Sequence, residues 1–313
     1  MNILITGVHG FVGSNLVEYF KGDHMIYGLD IVKPEKEGVV RTFMWDELEK
    51  LPQFDAIIHL SGKAHDTKNK SAAEVYFKVN TGLTKKIYDY FLTSSAKKFI
   101  FFSTAKAAAD RVDGILTEEV VPSPVGPYGE SKIAAENYIF SEMKNEELRI
   151  KNNKQVYILR PCMIHGPGNK GNLNLLYSVV RKGIPWPLGA FDNRRTFTSI
   201  ENVCFVVNGL LAQDVTSGIY NMGDDEALST NELIEVICES LGKKARIWHL
   251  PKSLMTGVAK IGGWLYLPLN PDRLQKLTEN YVSSNAKIKN ALGIDRMPVN
   301  ARDGLLQTLK SFK

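Results

Sequence analysis

Tyr128 and Lys132 stand four residues apart in the stretch GPYGESKIAAEN. On a helix that spacing is one turn, so both side chains share a face. A tyrosine hydroxyl titrates near ~10 in water. An ammonium beside it favours the phenolate and lowers that value, and so does a cationic ring. A phenol lowered in this way is a general base toward an alcohol near neutral pH. Many helices carry such a pair by chance, so its reading depends on what surrounds it. Thr104 ends the apolar run KKFIFFST, 24 residues before Tyr128. Parallel sheets bind ligands at the C-terminal ends of their strands, and a hydroxyl there can share the alcohol's proton with the tyrosine.

A second set of residues addresses phosphate. TGVHGFVGS follows the run NILITG and opens FVGSNLVEYF, with glycines at 7, 10 and 13. A dinucleotide-binding turn needs one glycine for the bend, one where backbone approaches the pyrophosphate and one where helix packs on strand. The phosphates then sit at the helix N-terminus, where unpaired N–H groups point. The spacing is GxxGxxG rather than GxGxxG. Asp30 closes the next apolar run, MIYGLD, 17 residues after Gly13. A carboxylate there accepts hydrogen bonds from ribose hydroxyls and repels a 2′-phosphate, which favours NAD over NADP. Lys33 lies nearby and leaves NADP open.

The elements that must position these groups alternate. NILITG, MIYGLD, VVRTFMW, DAIIHLSG, KKFIFFST and KQVYILRP read as strands. FVGSNLVEYF, AAEVYFKVNTGLTKKIYDYFLTS and the segment around Tyr128 read as helices. That alternation predicts an α/β fold, a Rossmann-like doubly wound parallel sheet. The domain expected over residues 1–164 binds NAD, and residues 197–223, with the strand-like TSGIYNMGDD, return to its sheet. Residues 165–196 and 224–313 form a smaller mixed α/β substrate-binding domain.

The chain has 313 residues, 44% of them hydrophobic and 23% charged, ordinary values for a globular protein. Its formal net charge of +5 reads as scattered, with no basic patch interleaved with aromatics, so no nucleic acid partner is expected. Cys162, Cys204 and Cys238 are far apart and form no CxxC, which fits buried thiols in a reducing compartment. No HxH or HxxxH spacing supports a metal. MNILITG does not read as a secretory leader, so none is expected. The apolar stretch Leu254–Leu269 contains Lys260, three glycines and Pro268, too short and interrupted to span a membrane. A cytoplasmic protein with no membrane partner is the expectation.

Together, TGVHGFVG, DAIIHLSG, FFST, PYGESK and RPCMIHGPG resemble the extended short-chain dehydrogenase/reductase family, in its NAD-dependent nucleotide-sugar epimerase and dehydratase branch. The likeness covers nearly the whole chain. It implies that Tyr128 is the catalytic base, that Lys132 tunes it while holding the nicotinamide ribose, and that Thr104 takes the serine/threonine position. It implies that Gly7, Gly10, Phe11, Val12 and Gly13 meet the pyrophosphate and that Asp30 holds the adenosine ribose. Asp46 approaches the adenine, Leu60 and Ser61 line the groove, and Asn80 takes the helix asparagine position. Asn172, Leu173, Arg195 and Arg273 fall at substrate diphosphate positions, where a guanidinium fork suits phosphate. A homodimer through two helices is the family expectation.

Two departures concern the substrate. STAKAAAD stands where many members have tyrosine-glycine after the serine, and its small residues are expected to widen or reshape the pocket. Cys162 and Met163 replace an asparagine after RP. The resemblance implies a 4-epimerase of a UDP-sugar, a UDP-N-acetylhexosamine foremost, in surface polysaccharide synthesis. A reductase of a UDP-4-keto-6-deoxy-N-acetylhexosamine is the alternative. A 4,6-dehydratase lacks its Asp-Glu pair, since Ala105-Lys106 stands there. A non-catalytic dinucleotide sensor predicts loss of the tyrosine-lysine pair, which is present.

Overall fold

The computed structural model describes residues 1–63, 72–143, 153–169, 171–265 and 269–312. Lys170 and residues 266–268 of the apolar stretch lie outside them. The chain opens with β1 (Asn2–Thr6), α1 (Phe11–Phe20), β2 (Met25–Asp30), β3 (Val39–Met44) and β4 (Ala56–His59). A helical stretch follows: α2 (Ala73–Tyr76), a π-helical turn over Phe77–Thr81, and α3 (Gly82–Thr93). Next come β5 (Lys98–Phe102), the short β6 (Ile115–Leu116), α4 (Pro127–Met143) and β7 (Gln155–Pro161).

Strands β1, β2, β3, β4, β5 and β7 join β10 (Gly218–Met222) in one seven-stranded sheet. Its order is β10-β7-β5-β4-β1-β2-β3, and every pairing is parallel. The chain runs outward from β1 to β3, then restarts at β4 and runs the other way. The switch point therefore lies between β1 and β4, where open parallel sheets bind ligands.

Alternation along each strand fills both faces, as a doubly covered sheet requires. Ile3, Ile5, Ile100, Phe102, Tyr157 and Leu159 pack on α1 and on α6 (Ile200–Ala212). Leu4, Phe99, Phe101, Val156 and Ile158 pack on α3 and α4 through Ile87, Tyr88, Phe91, Ala135 and Ile139. The strand Gly218–Met222 is the sheet's edge and pairs with β7. The chain also returns later: Ile288 and Leu292 of α10 (Ala286–Leu292) and Met297 belong to the first of these cores.

A second core lies outside the sheet. It joins α5 (Asn172–Arg181), α7 (Thr230–Ser240), α8 (Lys252–Trp264), α9 (Pro271–Thr278) and α11 (Ala301–Lys310) through Leu173, Tyr177, Leu233, Val236, Met255, Leu274 and Leu305. Two small parallel pairs bridge the layers. One joins β8 (Met163–His165) to β9 (Phe197–Ser199), the other β6 to β11 (Val282–Ser283).

The long helix expected from AAEVYFKVNTGLTKKIYDYFLTS is interrupted. The π-helical turn falls on Phe77–Thr81, and such turns often mark functional sites. It holds Asn80, which is fully buried.

Candidate active site

The glycine turn sits at the switch point. Gly7 has φ +71°, a left-handed conformation that glycine adopts without strain. A Cβ built there would come within 3.1 Å of the Ser61 nitrogen, so the turn lies against Leu60 and Ser61. A Cβ on Gly13 would lie 2.4 Å from the Gly7 carbonyl oxygen, closer than any real contact. These two positions thus require glycine for packing, and α1 is brought end-on to the turn. Phe11, Val12 and Gly13 form the first turn of α1, whose N–H groups have no intrahelical acceptor. A pyrophosphate fits there.

Asp30 ends β2 and is 9% exposed. Its carboxylate accepts from the His9 N–H at 3.1 Å and from the Ile31 N–H at 2.7 Å, so it ties the second strand to the glycine turn. Asp46 is exposed in the turn after β3, two residues beyond Met44, the register partner of Asp30. Lys36 escaped the sequence reading. Its Nζ donates to Ser14 Oγ at 2.6 Å and to the Val8 carbonyl at 3.3 Å, across the turn.

A buried chain of hydrogen bonds links this turn to Asn80. Thr6 Oγ1 contacts His59 Nδ1 at 2.7 Å, and His59 Nε2 contacts Thr84 Oγ1 at 2.9 Å. Burial first, then Lys132, holds His59 well below its ordinary pKa. Thr84 donates to the Asn80 carbonyl at 2.6 Å. The Asn80 amide accepts from the Lys63 N–H at 2.7 Å and donates to Ser131 Oγ at 2.9 Å. Asn80 is thus a buried brace between the loop after β4 and helix α4.

Tyr128, Lys132 and Thr104 come together. Thr104 caps the turn after β5, and its Oγ1 accepts from the Lys106 N–H at 3.3 Å. Its side chain hydrogen-bonds Tyr128. Gly129 allows the approach, because a Cβ there would meet the Lys106 carbonyl at 2.7 Å. Lys132 Nζ donates to the Phe102 carbonyl at 2.8 Å and lies 4.9 Å from the Phe101 ring centre. A Cβ on Gly62 would stand 3.1 Å from that Nζ, so the ammonium faces the loop beside the glycine turn.

Burial pushes the Tyr128 phenol above its ordinary pKa, the Thr104 hydrogen bond pulls it back, and Tyr76 adds to the rise. The lowering expected from Lys132 falls to Thr104 in the protein alone. Burial brings Lys132 down to about 8 against the opposing charge of Glu136.

Glu136 is the residue that reading missed. It follows Lys132 by one more turn and is fully buried. Arg160 of β7, 1% exposed, donates from Nη2 at 2.5 Å and from Nε at 3.0 and 3.2 Å. Ser103 Oγ also donates to it. The face of α4 that carries Tyr128 and Lys132 is therefore pinned to the ends of β5 and β7. The available signal was YxxxKxxxE, three positions on one helical face.

Of the widening or reshaping expected at STAKAAAD, the structure shows a filled wall. Ala105, Ala108 and Cys162 pack with Leu116 and Tyr281 in one buried cluster. Tyr281 fills the space, and its hydroxyl donates to the Ala109 carbonyl at 2.8 Å. The two departures from the family pattern therefore touch each other. Burial pushes the Cys162 thiol up to about 12, which makes it packing rather than a nucleophile.

Arg195 adjoins this cluster. Burial lowers its pKa, and Glu279, Cys162 and Tyr281 oppose the shift. Its Nη1 donates to the Lys276 carbonyl at 2.5 Å. Arg273 lies exposed in the first turn of α9. Asn172 is exposed at the start of α5, whereas Leu173 is 1% exposed and belongs to the second core. Leu173 offers a ligand only its backbone.

Comparison with known proteins agrees with this geometry. The chain is 28% identical to a UDP-glucose 4-epimerase of Vibrio cholerae, over 99% of this chain and 95% of that one. It is also 28% identical to an N-acetyl-alpha-D-glucosaminyl-diphospho-ditrans,octacis-undecaprenol 4-epimerase of Escherichia coli O157:H7, over 92% and 84%. The solved structure of a UDP-N-acetylglucosamine 4-epimerase from Bacillus cereus shares the fold, with TM-score 0.75 at 19% identity over 100% and 98% of the two chains. The profile of the NAD dependent epimerase/dehydratase family matches residues 3–223, well over half of the sequence. With that match laid on a switch point built for a dinucleotide, the chain belongs to the NAD-dependent epimerase/dehydratase family, and NAD is its cofactor.

Proposed function

We propose that the protein is a 4-epimerase of a UDP-sugar, a UDP-N-acetylhexosamine foremost, serving surface polysaccharide synthesis. One observation carries the reading: Thr104 hydrogen-bonds Tyr128 while Lys132 is fixed one turn away against the loop beside the glycine turn. NAD, when bound, takes up a hydride from carbon and returns it. Tyr128 accepts the proton of the sugar 4-hydroxyl, and Thr104 hydrogen-bonds the same oxygen. The Lys132 ammonium stabilises the phenolate. After the 4-keto sugar turns over, Tyr128 gives the proton back on the other face. Arg195 is the diphosphate arginine of this reading, with Asn172 and Arg273 as further contacts. The 4-epimerase relatives from V. cholerae and E. coli support C4 chemistry.

A second reading has its own observation. The cluster of Ala105, Ala108, Cys162 and Tyr281 is apolar and adjoins Thr104, which suits a 6-deoxy methyl group. It favours a reductase of a UDP-4-keto-6-deoxy-N-acetylhexosamine with the same catalytic residues. Incubation with UDP-N-acetylglucosamine without reductant, followed by NMR, separates the two. Formation of the galacto epimer at constant nicotinamide absorbance supports the epimerase. No turnover there, with stoichiometric loss of reduced nicotinamide on the 4-keto-6-deoxy sugar, replaces it with the reductase.

A further inference from the structure

Helix α8 has two apolar faces, and among the described residues only one is covered. Met255, Ala259 and Gly262 are buried, and Met255 and Ala259 belong to the second core. Leu254, Val258, Ile261 and Leu265 are 52%, 44%, 58% and 51% exposed, and Trp264 is 80% exposed. At 3.6 residues per turn the first four fall within an arc of about 60°, turned about 100° from the buried arc. Single exposed apolar residues are normal on a surface. Four in line over three turns, with a tryptophan at the end, form a patch with a partner.

The charge around the helix says which partner. From Lys243 to Thr278 the sequence holds Lys243, Lys244, Arg246, Lys252, Lys260, Arg273 and Lys276 against Asp272 alone, a balance of +6 where the whole chain has +5. All seven cationic residues are exposed. The excess that reads as scattered is gathered on α8, on the segment leading into it and on α9, which packs against α8. Among the described residues no helix is long and apolar enough to cross a membrane.

We propose that α8 docks the protein on an anionic lipid bilayer. The helix lies in the headgroup plane with Leu254, Val258, Ile261 and Leu265 at the acyl boundary and Trp264 at the interface. The cations around it, apart from Arg273, which the proposed function gives to the substrate diphosphate, meet lipid phosphates. A second copy of the chain is the other candidate for an apolar face. A two-fold contact through α8 would set the +6 region against itself, whereas an anionic bilayer supplies the opposite sign. The inference stands on this surface alone, whichever sugar the active site takes. It also links to that site, because Arg195 donates to the carbonyl of Lys276 on α9.

The test is co-sedimentation of the full-length protein with vesicles of phosphatidylcholine alone and of phosphatidylcholine with phosphatidylglycerol, at low and high salt. The protein should pellet with the anionic vesicles, and salt should weaken binding. Val258→Glu/Ile261→Glu should lower partitioning at least about tenfold, with NAD affinity and turnover in solution unchanged. Trp264→Ser, a milder change, should lower it severalfold. The proposal is overturned if the wild type stays in the supernatant with both vesicles, or if both variants bind as the wild type does. It is also overturned if the double variant breaks an oligomer in size-exclusion while the wild type ignores vesicles, which assigns the face to a second copy.

Discussion

Glu136→Gln tests how the catalytic helix is held. Glu136 is fully buried and Arg160 is 1% exposed, and their contacts run from 2.5 to 3.2 Å. Removing one partner of such a pair leaves a charge buried without compensation, at a cost of about 3–5 kcal/mol. At roughly 2–4 °C per kcal/mol for large domains, the melting temperature should fall by roughly 6–20 °C. Glu136→Leu/Arg160→Met, which removes both charges, should cost less than Glu136→Leu or Arg160→Met alone. Glu136 also opposes the effect of burial on Lys132, so Glu136→Gln should move the titration of Lys132 below about 8. Urea unfolding of the four proteins in the cycle measures the first effect, and the alkaline limb of the activity profile the second. Single variants within about 1 kcal/mol of wild type, or a double variant costing the sum of the singles, would show that the pair does not hold the helix.

Four further outcomes follow from the site. Tyr128→Phe should lower kcat by about 10²–10⁴ while NAD affinity, read by titration, stays within about twofold. Thr104→Val removes the hydrogen bond that lowers the Tyr128 phenol, so the acid limb of kcat/KM should move to higher pH. Lys132 falls from 10.5 to about 8 on folding. The unfolded chain therefore binds more protons between those values, and this residue's contribution makes stability rise with pH across that window. The difference in unfolding free energy between wild type and Lys132→Met should climb accordingly, and activity should decline as pH passes about 8. Gly129→Ala places a Cβ 2.7 Å from the Lys106 carbonyl. It should separate Tyr128 from Thr104 and lower kcat at least about tenfold with little change in NAD binding.

What could be read from the sequence was local. Strands such as DAIIHLSG and KKFIFFST show themselves because a sheet covered on both faces needs unbroken apolar runs. The glycine turn shows itself because close approach tolerates only glycine, as the 2.4 Å clash at Gly13 demonstrates. Tyr128, Lys132 and Thr104 were legible as a pair at helical spacing and a strand end. The contacts that close the site were not. Tyr281 lies 153 residues beyond Tyr128, and no local pattern says that it fills the space left by Ala105 and Ala108. In the sequence Arg160 is one more residue of KQVYILRP, and no local pattern pairs it with Glu136. Asn80 was placed by family pattern, but only the π-helical turn shows that its amide braces Lys63 and Ser131. The cationic excess around α8 was countable in the sequence. Its meaning needed the bare face beside it.

The most direct test of the central claim uses UDP-N-acetylglucosamine carrying deuterium at C4, with no reductant added. The galacto product should keep its deuterium at C4, because the hydride leaves carbon and returns to it while the Tyr128 phenol handles only the hydroxyl proton. Deuterium lost to water, or an epimer formed at full rate by Tyr128→Phe, would contradict it.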